Sequence, residues 1–156
     1  MIHIFTDGAC SKNGFKGASA AYSVVFWDLE EKPFGLSYKV PAEEVQTNQR
    51  AELRGLNLAF EEIQKRQIKT PVTIWTDSEY ARKCIEVWGP QWKARGWKRA
   101  NGSKPLEHLD LLKHMIEFYE SSRHFIILRH IKAHTNNTDF PYSGNTMADK
   151  LATELV

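Results

Sequence analysis

Four carboxylates stand where they could act together. Asp7 follows "IHIFT" and Asp77 follows "VTIWT", so a β-rich run twice leads into Thr-Asp. Glu52 lies in "NQRAELRGLNLAF" and Asp149 in "GNTMADKLA". Converging carboxylates repel one another and raise one another's pKa values unless a cation lies among them. Oxygen ligands without cysteine select Mg²⁺ or Mn²⁺, and two such ions form a recurrent site for in-line displacement at phosphorus.

Each carboxylate taken alone has an ordinary structural explanation. Asp7 could lie in a turn, and Asp77 could cap a following helix. Glu52 could be a solvated residue at the rim of a helix, and Asp149 a first-turn acid favoured by the helix dipole. Only the placement of all four at the ends or inward edges of elements favours a shared site.

The first half of the chain predicts a meander followed by a helix. Strands are predicted at residues 2 to 6, 19 to 27 and 35 to 40, and their short turn-rich connections favour antiparallel pairing. After Thr47, a plausible N-cap, apolar residues recur at steps of three and four and predict a helix of about 18 residues. Those apolar residues are Leu53, Leu56, Phe60 and Ile63.

The second half predicts elements that build a mixed sheet. A strand at 72 to 76 is followed by a helix from about Ser78, a helix from Pro105 to Glu120 and a strand at "HFIILRHI". The polar loop "HTNNTDFPYSGN" then leads to a last helix, with Asp149 near its start. This order predicts an α/β fold in which Asp7 and Asp77 sit at the carboxyl ends of neighbouring parallel strands.

Composition excludes several classes of protein. A chain of 156 residues with 42% hydrophobic and 26% charged residues fits one globular domain. Its longest apolar stretches are too short to span a bilayer, so no membrane association is expected. Cys10 and Cys84 form no CxxC pair, which argues against a zinc-thiolate site. The amino-terminal residues lack the features of a secretion signal, so a cytoplasmic location is the default expectation, with a nuclear or viral context left open.

Positive charge is concentrated in one Trp-rich segment. Between Arg82 and Lys104 lie seven lysine and arginine residues and one acid, Glu86. This imbalance favours a polyanion that docks on the segment. The alternative is a Trp-anchored helix hairpin with a solvated charged face.

Five motifs together resemble one known family. "TDGAC", "TNQRAEL", "TDSEY", "WKARGWK" and "GNTMADKLA", in this order and at these separations, closely resemble a type 1 ribonuclease H across nearly the whole chain. The resemblance implies a ribonuclease H-like α/β fold, a five-stranded mixed sheet with helices on both faces. It also implies one catalytic domain over residues 1–156, a monomer without a separate hybrid-binding domain or an obligatory protein partner. The activity implied is metal-dependent endonucleolytic cleavage of the RNA strand of RNA/DNA hybrids, leaving 5′-phosphate and 3′-hydroxyl ends.

The resemblance carries over to individual residues by motif position. Asp7, Glu52, Asp77 and Asp149 correspond to the family's metal-binding carboxylates, which implies two Mg²⁺ ions per site with substrate and Mn²⁺ as a substitute. His134 falls where the family has a mobile histidine that assists turnover, either by moving protons or by helping product leave. As a lone histidine in a polar loop, it is otherwise a solvated surface residue.

Contacts with the hybrid are implied along two tracks. Minor-groove contacts, where the 2′-hydroxyls distinguish RNA from DNA, fall on Cys10, Asn13, Asn48 and Gln49, and Glu52 should also reach a 2′-hydroxyl. On the DNA strand, Thr47 matches a phosphate contact, and Tyr80 and Trp88 match aromatics along the sugars. The segment from Trp88 to Lys98 resembles the family's basic protrusion, and its predicted substrate-binding residues beyond Trp88 are Trp92, Lys93 and Lys98.

Three features depart from the family pattern. Asp149 follows His134 by fifteen positions, several more than usual, so His134 is expected to be positioned or timed differently. Val45 stands where some relatives carry an arginine for the DNA phosphate, and His108 where an asparagine often serves that pocket, so this contact is expected to be weaker. No amino-terminal hybrid-binding module precedes these motifs, which makes processive cutting less expected.

Three alternatives stay open at this point. A catalytically idle nucleic-acid-binding domain would bind hybrid without cutting it. A resolvase- or integrase-like nuclease would cut duplex DNA. An α/β domain whose acids cap helices and whose tryptophans fill the core would gain no thermal stability from Mg²⁺.

Overall fold

A five-stranded mixed sheet forms the centre of the computed structural model, which describes residues 1–28, 31–99 and 105–156. The strands are β1 (Ile2–Ser11), β2 (Ser19–Asp28), β3 (Phe34–Lys39), β4 (Val72–Thr76) and β5 (Ile126–His130). Their order across the sheet is β3-β2-β1-β4-β5. The pairs β3–β2 and β2–β1 are antiparallel, whereas β1–β4 and β4–β5 are parallel. The predicted mixed sheet is therefore confirmed.

Within the described ranges the sheet is accompanied by five α-helices. They are α1 (Asn48–Lys65), α2 (Glu79–Lys83), α3 (Gly89–Ala94), α4 (Leu109–Ser122) and α5 (Tyr142–Thr153). A π-helical segment, Cys84–Trp88, joins α2 to α3. Within the described ranges, no helix is both long enough and apolar enough to cross a membrane.

The helices lie on both faces of the sheet, as predicted. Successive side chains of a strand point to opposite faces, so neighbouring residues of β1 enter different parts of the core. Ile4 packs in the large cluster that includes Leu56 of α1 and Ile116 of α4. Phe5 packs instead against Ala148 of α5. Among the described long helices, only α5 therefore lies on the face opposite α1 and α4.

Helix α1 is the element that its sequence predicts best. Thr47 is its N-cap, and the Thr47 Oγ1 accepts a hydrogen bond from the Arg50 N–H at 3.1 Å. The predicted apolar stripe, including Leu53 and Phe60, is fully buried. Both the cap and the 18-residue length are confirmed.

Three predicted boundaries are wrong. Strand β1 continues past residue 6 to Ser11, because β2 stays paired with it beyond the end of β4. Helix α4 begins at Leu109 and not at Pro105, since His108 has a left-handed φ of 60° and Pro105 bridges to Lys98. Helix α5 begins at Tyr142, so part of the predicted polar loop is helical.

Candidate active site

Asp7 and Asp77 lie side by side on neighbouring parallel strands. The last paired residues of β1 and β4 are Thr6 and Thr76, and the two aspartates follow them directly. Neighbouring strands are about 4.8 Å apart, so the backbones that carry these carboxylates are adjacent. The predicted parallel pairing is confirmed, although Asp7 lies within β1 and not at its end.

Two glycines bring Glu52 close to this pair. A Cβ at Gly8 would lie 2.4 Å from the backbone nitrogen of Glu52, and a Cβ at Gly55 would lie 2.8 Å from the carbonyl oxygen of Asp7. Helix α1 can therefore pack directly on the backbone of β1 only because both positions lack a side chain. The Ser78 Oγ donates a hydrogen bond to the Glu52 Oε2 at 2.6 Å and orients the carboxylate.

Asp149 reaches the site from the opposite face of the sheet. In the register of β1 and β2, Asp7 pairs with Ser23. The buried Ser23 Oγ donates a hydrogen bond to the carbonyl oxygen of Ala148 at 2.6 Å, which holds α5 against the sheet at this level. Asp149 is the next residue, in the third turn of α5, so it is not the first-turn acid that its sequence allowed.

The environment of Asp7 strongly disfavours a negative charge. Burial, the neighbouring charge of Asp77 and the contact with Asp149 together raise the pKa of Asp7 to about 9. The N–H of Gly8 opposes this shift by donating to the Asp7 Oδ1 at 2.8 Å. In the described part of the chain, the buried Asp7 Oδ2 has no hydrogen-bond partner. A cation beside this oxygen would offset the cost of burying it.

Two half-buried carboxylates, Glu52 and Asp77, are perturbed in the same direction. Burial raises the pKa of Glu52, the hydrogen bond from Ser78 opposes the shift, and the charge of Asp77 adds to it. Burial also raises the pKa of Asp77, while contacts with Asp7 and Asn145 lower it. The carboxylates therefore interact electrostatically as one group.

This group is not a closed cage. Across residues 1–28, 31–99 and 105–156, no three histidine, cysteine, aspartate or glutamate side chains are already gathered tightly enough to hold an ion. The direct contact between Glu52 and Ser78 shows one reason, because that carboxylate is turned towards a hydroxyl. The donor set, which consists of carboxylate oxygens, fits a hard divalent cation.

Two residues that support the carboxylates were missed in the sequence. Asn145 is only 5% exposed, contacts Asp77, and leaves its Oδ1 without a hydrogen-bond partner among the described residues. Asn145 lies four positions before Asp149, one helical turn away, and this spacing could have indicated that both side chains face the site. The Ser78 Oγ caps α2 by accepting from the N–H of Ala81 at 3.0 Å, and it also donates to Glu52. Its position at the start of a predicted helix could have indicated the cap.

His134 lies on an exposed loop next to the site. Its φ is 52°, in the left-handed region, and a positive charge on its ring would oppose the raised pKa of Asp77. Hydrogen bonds order the segment that follows, since the Thr135 Oγ1 accepts from the N–H of Asn137 at 3.3 Å and the Asn137 Oδ1 accepts from the N–H of Asp139 at 2.8 Å. Much of the long separation between His134 and Asp149 is taken up by α5.

An aromatic cluster anchors this loop to the sheet. The ring of Phe140 lies 4.8 Å from His3, 5.8 Å from Phe5 and 5.6 Å from Trp27, measured between ring centroids. Two residues into α5, a Cβ at Gly144 would lie 2.2 Å from the Phe5 ring. The chain between His134 and Asp149 is therefore held from the face opposite α1.

The residues predicted to contact the minor groove form one rim. Asn13, Asn48 and Gln49 are exposed, and the Asn13 Oδ1 accepts a hydrogen bond from the N–H of Asn48 at 3.0 Å. Cys10 is half-buried, and its Sγ donates to the carbonyl oxygen of Gln46 at 3.5 Å. The structure thus brings together the hairpin between β1 and β2 and the start of α1.

Thr47 shares a cavity with both positions that depart from the family pattern. The cavity measures about 610 Å³, and its lining includes Val45, Thr47, Arg50 and His108. The guanidinium of Arg50 is already paired with Asp110, at 2.9 and 2.6 Å, and with Glu44. The His108 Nδ1 lies 3.2 Å from the Arg50 Nη1. The cavity therefore offers little uncompensated positive charge to a phosphate.

The predicted protrusion is a half-buried aromatic row with lysines beside it. The rings of Tyr80 and Trp88 are 6.1 Å apart, as are those of Trp88 and Trp92. Lys93 pairs with Glu120 at 2.7 Å, so its charge is partly compensated, while Lys98 is exposed. Lys104, which belongs to the same predicted segment, lies outside the described residues.

Sequence comparisons identify relatives of this arrangement. The family model described as RNase H matches residues 1–156. Ribonuclease H of Rickettsia typhi is 36% identical over 153 residues, which cover 98% of this chain and 89% of that protein. Ribonuclease H of Schizosaccharomyces pombe is also 36% identical, and the match covers 96% of this chain and 50% of that protein.

Solved structures share the same fold. The RNase H domain of PFV in solution matches with a TM-score of 0.76 and 28% identity, covering 98% of this chain and 92% of that one. A foamy viral protease-reverse transcriptase in complex with RNA/DNA hybrid matches with a TM-score of 0.80 and 26% identity. The latter match covers 98% of this chain but only 19% of the viral chain. This chain belongs to the RNase H family, whose members are nucleases.

Proposed function

We propose that this chain is an endoribonuclease that hydrolyses the RNA strand of RNA/DNA hybrids and leaves 5′-phosphate and 3′-hydroxyl ends. The observation that carries the proposal is the mutual electrostatic influence of Asp7, Glu52, Asp77 and Asp149, together with the buried Asp7 Oδ2, which has no hydrogen-bond partner among the described residues. A related foamy viral protein was solved with an RNA/DNA hybrid, which supports the substrate class.

The four carboxylates would hold two Mg²⁺ ions when substrate is bound, and Mn²⁺ would substitute. Hard oxygen donors suit both ions, and the cysteines do not compete, since Cys84 is fully buried and the Cys10 thiol donates to backbone oxygens. Bound in this way, divalent ions supply a water of lowered pKa and stabilise charge on the leaving oxygen. The raised pKa of Asp7 belongs to the metal-free protein, because a nearby cation favours the ionised carboxylate.

Neighbouring residues orient the four carboxylates. Ser78 holds Glu52 by a hydrogen bond, and Asn145 contacts Asp77 from one turn before Asp149. His134, on its exposed loop, moves a proton or helps the product leave. Ser78 and Asn145 thus position carboxylates and His134 assists turnover, and each role can be tested by replacing the residue.

Hybrid recognition in this proposal depends on both strands. The exposed amide side chains of Asn13, Asn48 and Gln49 can donate to and accept from 2′-hydroxyls, which only the RNA strand carries. Lys98 and its neighbours neutralise phosphates of the DNA strand without reading bases. Specificity for hybrid then follows because one set of contacts requires the 2′-hydroxyls of an RNA strand and the other binds the phosphates of the DNA strand.

A cleavage assay with matched nucleic acids tests the proposal. One strand-labelled RNA/DNA hybrid is compared with duplex DNA, duplex RNA and single-stranded RNA of the same sequence, in Mg²⁺ and in EDTA. We expect cutting of the RNA strand of the hybrid alone, and none in EDTA. Binding of the hybrid without cutting would identify an idle binding domain, and cutting of duplex DNA would identify a resolvase-like nuclease.

Paired variants make the same assay specific to the site. Asp7→Asn should abolish cleavage while the hybrid still binds, because it removes one ligand and also one repulsive charge. Asp139→Asn makes the same chemical change at an exposed residue of the loop and should leave turnover unchanged. A single domain over residues 1–156, a monomeric state and a cytoplasmic location stay predictions of this proposal.

A further inference from the structure

The tip of the hairpin between β1 and β2 combines an exposed ring with positive charge. Phe15 is 77% exposed, the highest value of any large apolar side chain in the described part of the chain. Lys12 and Lys16, on either side of it, are exposed as well. A single surface phenylalanine needs no explanation by itself. The combination at one turn, on one rim of the molecule, is what points to a partner.

The conformation of this turn is well defined. The N–H of Phe15 donates to the carbonyl oxygen of Lys12 at 2.9 Å, and the N–H of Ala18 donates to the carbonyl oxygen of Phe15 at 3.2 Å. Gly14 and Gly17 have φ values of 84° and 85°, which glycine adopts without strain. The turn therefore presents the ring from a fixed backbone, which reduces the entropy lost on binding.

The hairpin is tied to the rim that faces the hybrid in the proposed function. Asn13 accepts from the N–H of Asn48, and Cys10 donates to the carbonyl oxygen of Gln46. The side chain of Gln46 is itself fixed, because its Oε1 accepts from the N–H of Ala20 at 2.9 Å. At about 3.3 Å per residue, the strand carries the hairpin tip more than about 13 Å beyond the carboxylates.

The charges at the tip are available to a ligand. Neither Lys12 nor Lys16 forms an ion pair with any residue in the described ranges, in contrast to Lys93 with Glu120. The Lys12 Nζ lies 3.9 Å from the place where a Cβ at Gly17 would stand, so its charge stays beside the turn. Unpaired ammonium groups next to an exposed ring suit a phosphate backbone with sugar or base faces between the phosphates.

We propose that Lys12, Phe15 and Lys16, the hairpin tip, bind the RNA/DNA hybrid outside the segment that is cut. The two lysines neutralise phosphates, and Phe15 packs on sugars in the wide, shallow minor groove. The inference rests on the proposed function, because it assigns a further contact to the same substrate. The tip contributes to affinity and leaves the chemistry at the carboxylates unchanged.

Hybrid binding as a function of salt tests this contact. Fluorescence anisotropy of a labelled hybrid in EDTA compares the wild type with Lys12→Ala/Lys16→Ala, Phe15→Ala and Phe15→Trp. The double lysine variant should reduce the slope of log K against log salt by about 1.4 to 1.8. Phe15→Ala should weaken binding about threefold to tenfold with an unchanged slope, and Phe15→Trp should retain affinity, because ring packing is insensitive to salt.

A control pair and a kinetic measurement separate this inference from the function itself. Lys65→Ala/Lys69→Ala removes two exposed lysines, one at the C-terminal end of α1 and one just after it, and should leave both slope and affinity unchanged. In Mg²⁺, Lys12→Ala/Lys16→Ala and Phe15→Ala should raise KM while kcat stays constant. If the wild type binds and cuts hybrid but Lys12→Ala/Lys16→Ala keeps the wild-type slope and Phe15→Ala keeps the wild-type affinity and KM, the hairpin contact is refuted. If the wild type neither binds nor cuts hybrid, the proposed function itself fails.

Discussion

Replacing Asp7 by asparagine tests whether crowded carboxylates destabilise the metal-free fold. Asp7 is only 6% exposed, and its pKa in the folded protein is raised to about 9. An asparagine keeps the Oδ1 that accepts from Gly8, and its amide nitrogen replaces the unpartnered Oδ2 with a donor. The substitution therefore imitates the protonated aspartate at every pH, without its titration.

The sign and size of the effect follow from proton linkage. Between about pH 4 and pH 9, the unfolded chain has lost the Asp7 proton while the folded protein retains it, so this group lowers stability as pH rises. Each pH unit costs at most about 1.4 kcal/mol. From pH 5 to pH 8 the upper limit is about 4 kcal/mol, and we expect about 1–3 kcal/mol because neighbouring groups relax. Asp77 and Glu52 titrate in both proteins, so only the difference reports on Asp7.

Urea unfolding in EDTA at pH 5 and pH 8 measures this difference. The wild type should lose more free energy of unfolding than Asp7→Asn over this range, and the variant should be the more stable protein at pH 8. Adding Mg²⁺ at pH 8 should stabilise the wild type and have little effect on the variant. Asp139→Asn is the matched control and should follow the wild type. Parallel pH dependence of the wild type and Asp7→Asn would refute the reasoning.

Three further predictions concern the surroundings of the carboxylates. His134→Ala should lower kcat and leave activity detectable in steady-state cleavage, because the residue is exposed and assists the reaction from a loop; complete loss would make it obligatory. Lys93→Ala/Lys98→Ala should weaken hybrid binding and flatten its salt dependence, with the larger share in single variants from Lys98, which forms no ion pair with a described residue; an unaltered slope would place the DNA track elsewhere. Phe140→Ala should cost about 1–3 kcal/mol in urea unfolding and lower kcat more than it raises KM, with rescue by Phe140→Tyr; equal kcat would show that the aromatic anchor does not position the site.

The sequence predicted those elements whose signals are local. The periodic leucines of α1 and the hydroxyl of Thr47 lie within one helix, so pattern and cap suffice to place it. Strand β4 was predicted at its observed bounds because it is a short β-rich run with turn residues around it. The start of α4 was missed, since the bridge between Lys98 and Pro105 competes with the usual preference for proline in a first helical turn.

Within the candidate site, too, the sequence predicted some features and left others to the tertiary structure. The repeated Thr-Asp after a β-rich run, and the ordered set of motifs, were enough to name the four carboxylates from sequence alone. Residue order did not reveal that Asn145 contacts Asp77 or that Ser78 holds Glu52, since these contacts depend on side-chain direction. Nor did it reveal that α5 begins early enough to place Asp149 in its third turn.

The sequence by itself therefore determined the family and the succession of the five strands, and it named the four carboxylates as candidates. The tertiary structure alone decided their chemistry. The pKa of Asp7 near 9 arises because α1 packs on the backbone at Gly8, β4 places Asp77 alongside, and α5 closes from the other face. Desolvation and repulsion depend on distances between residues that are far apart in the chain, and only packing sets those distances.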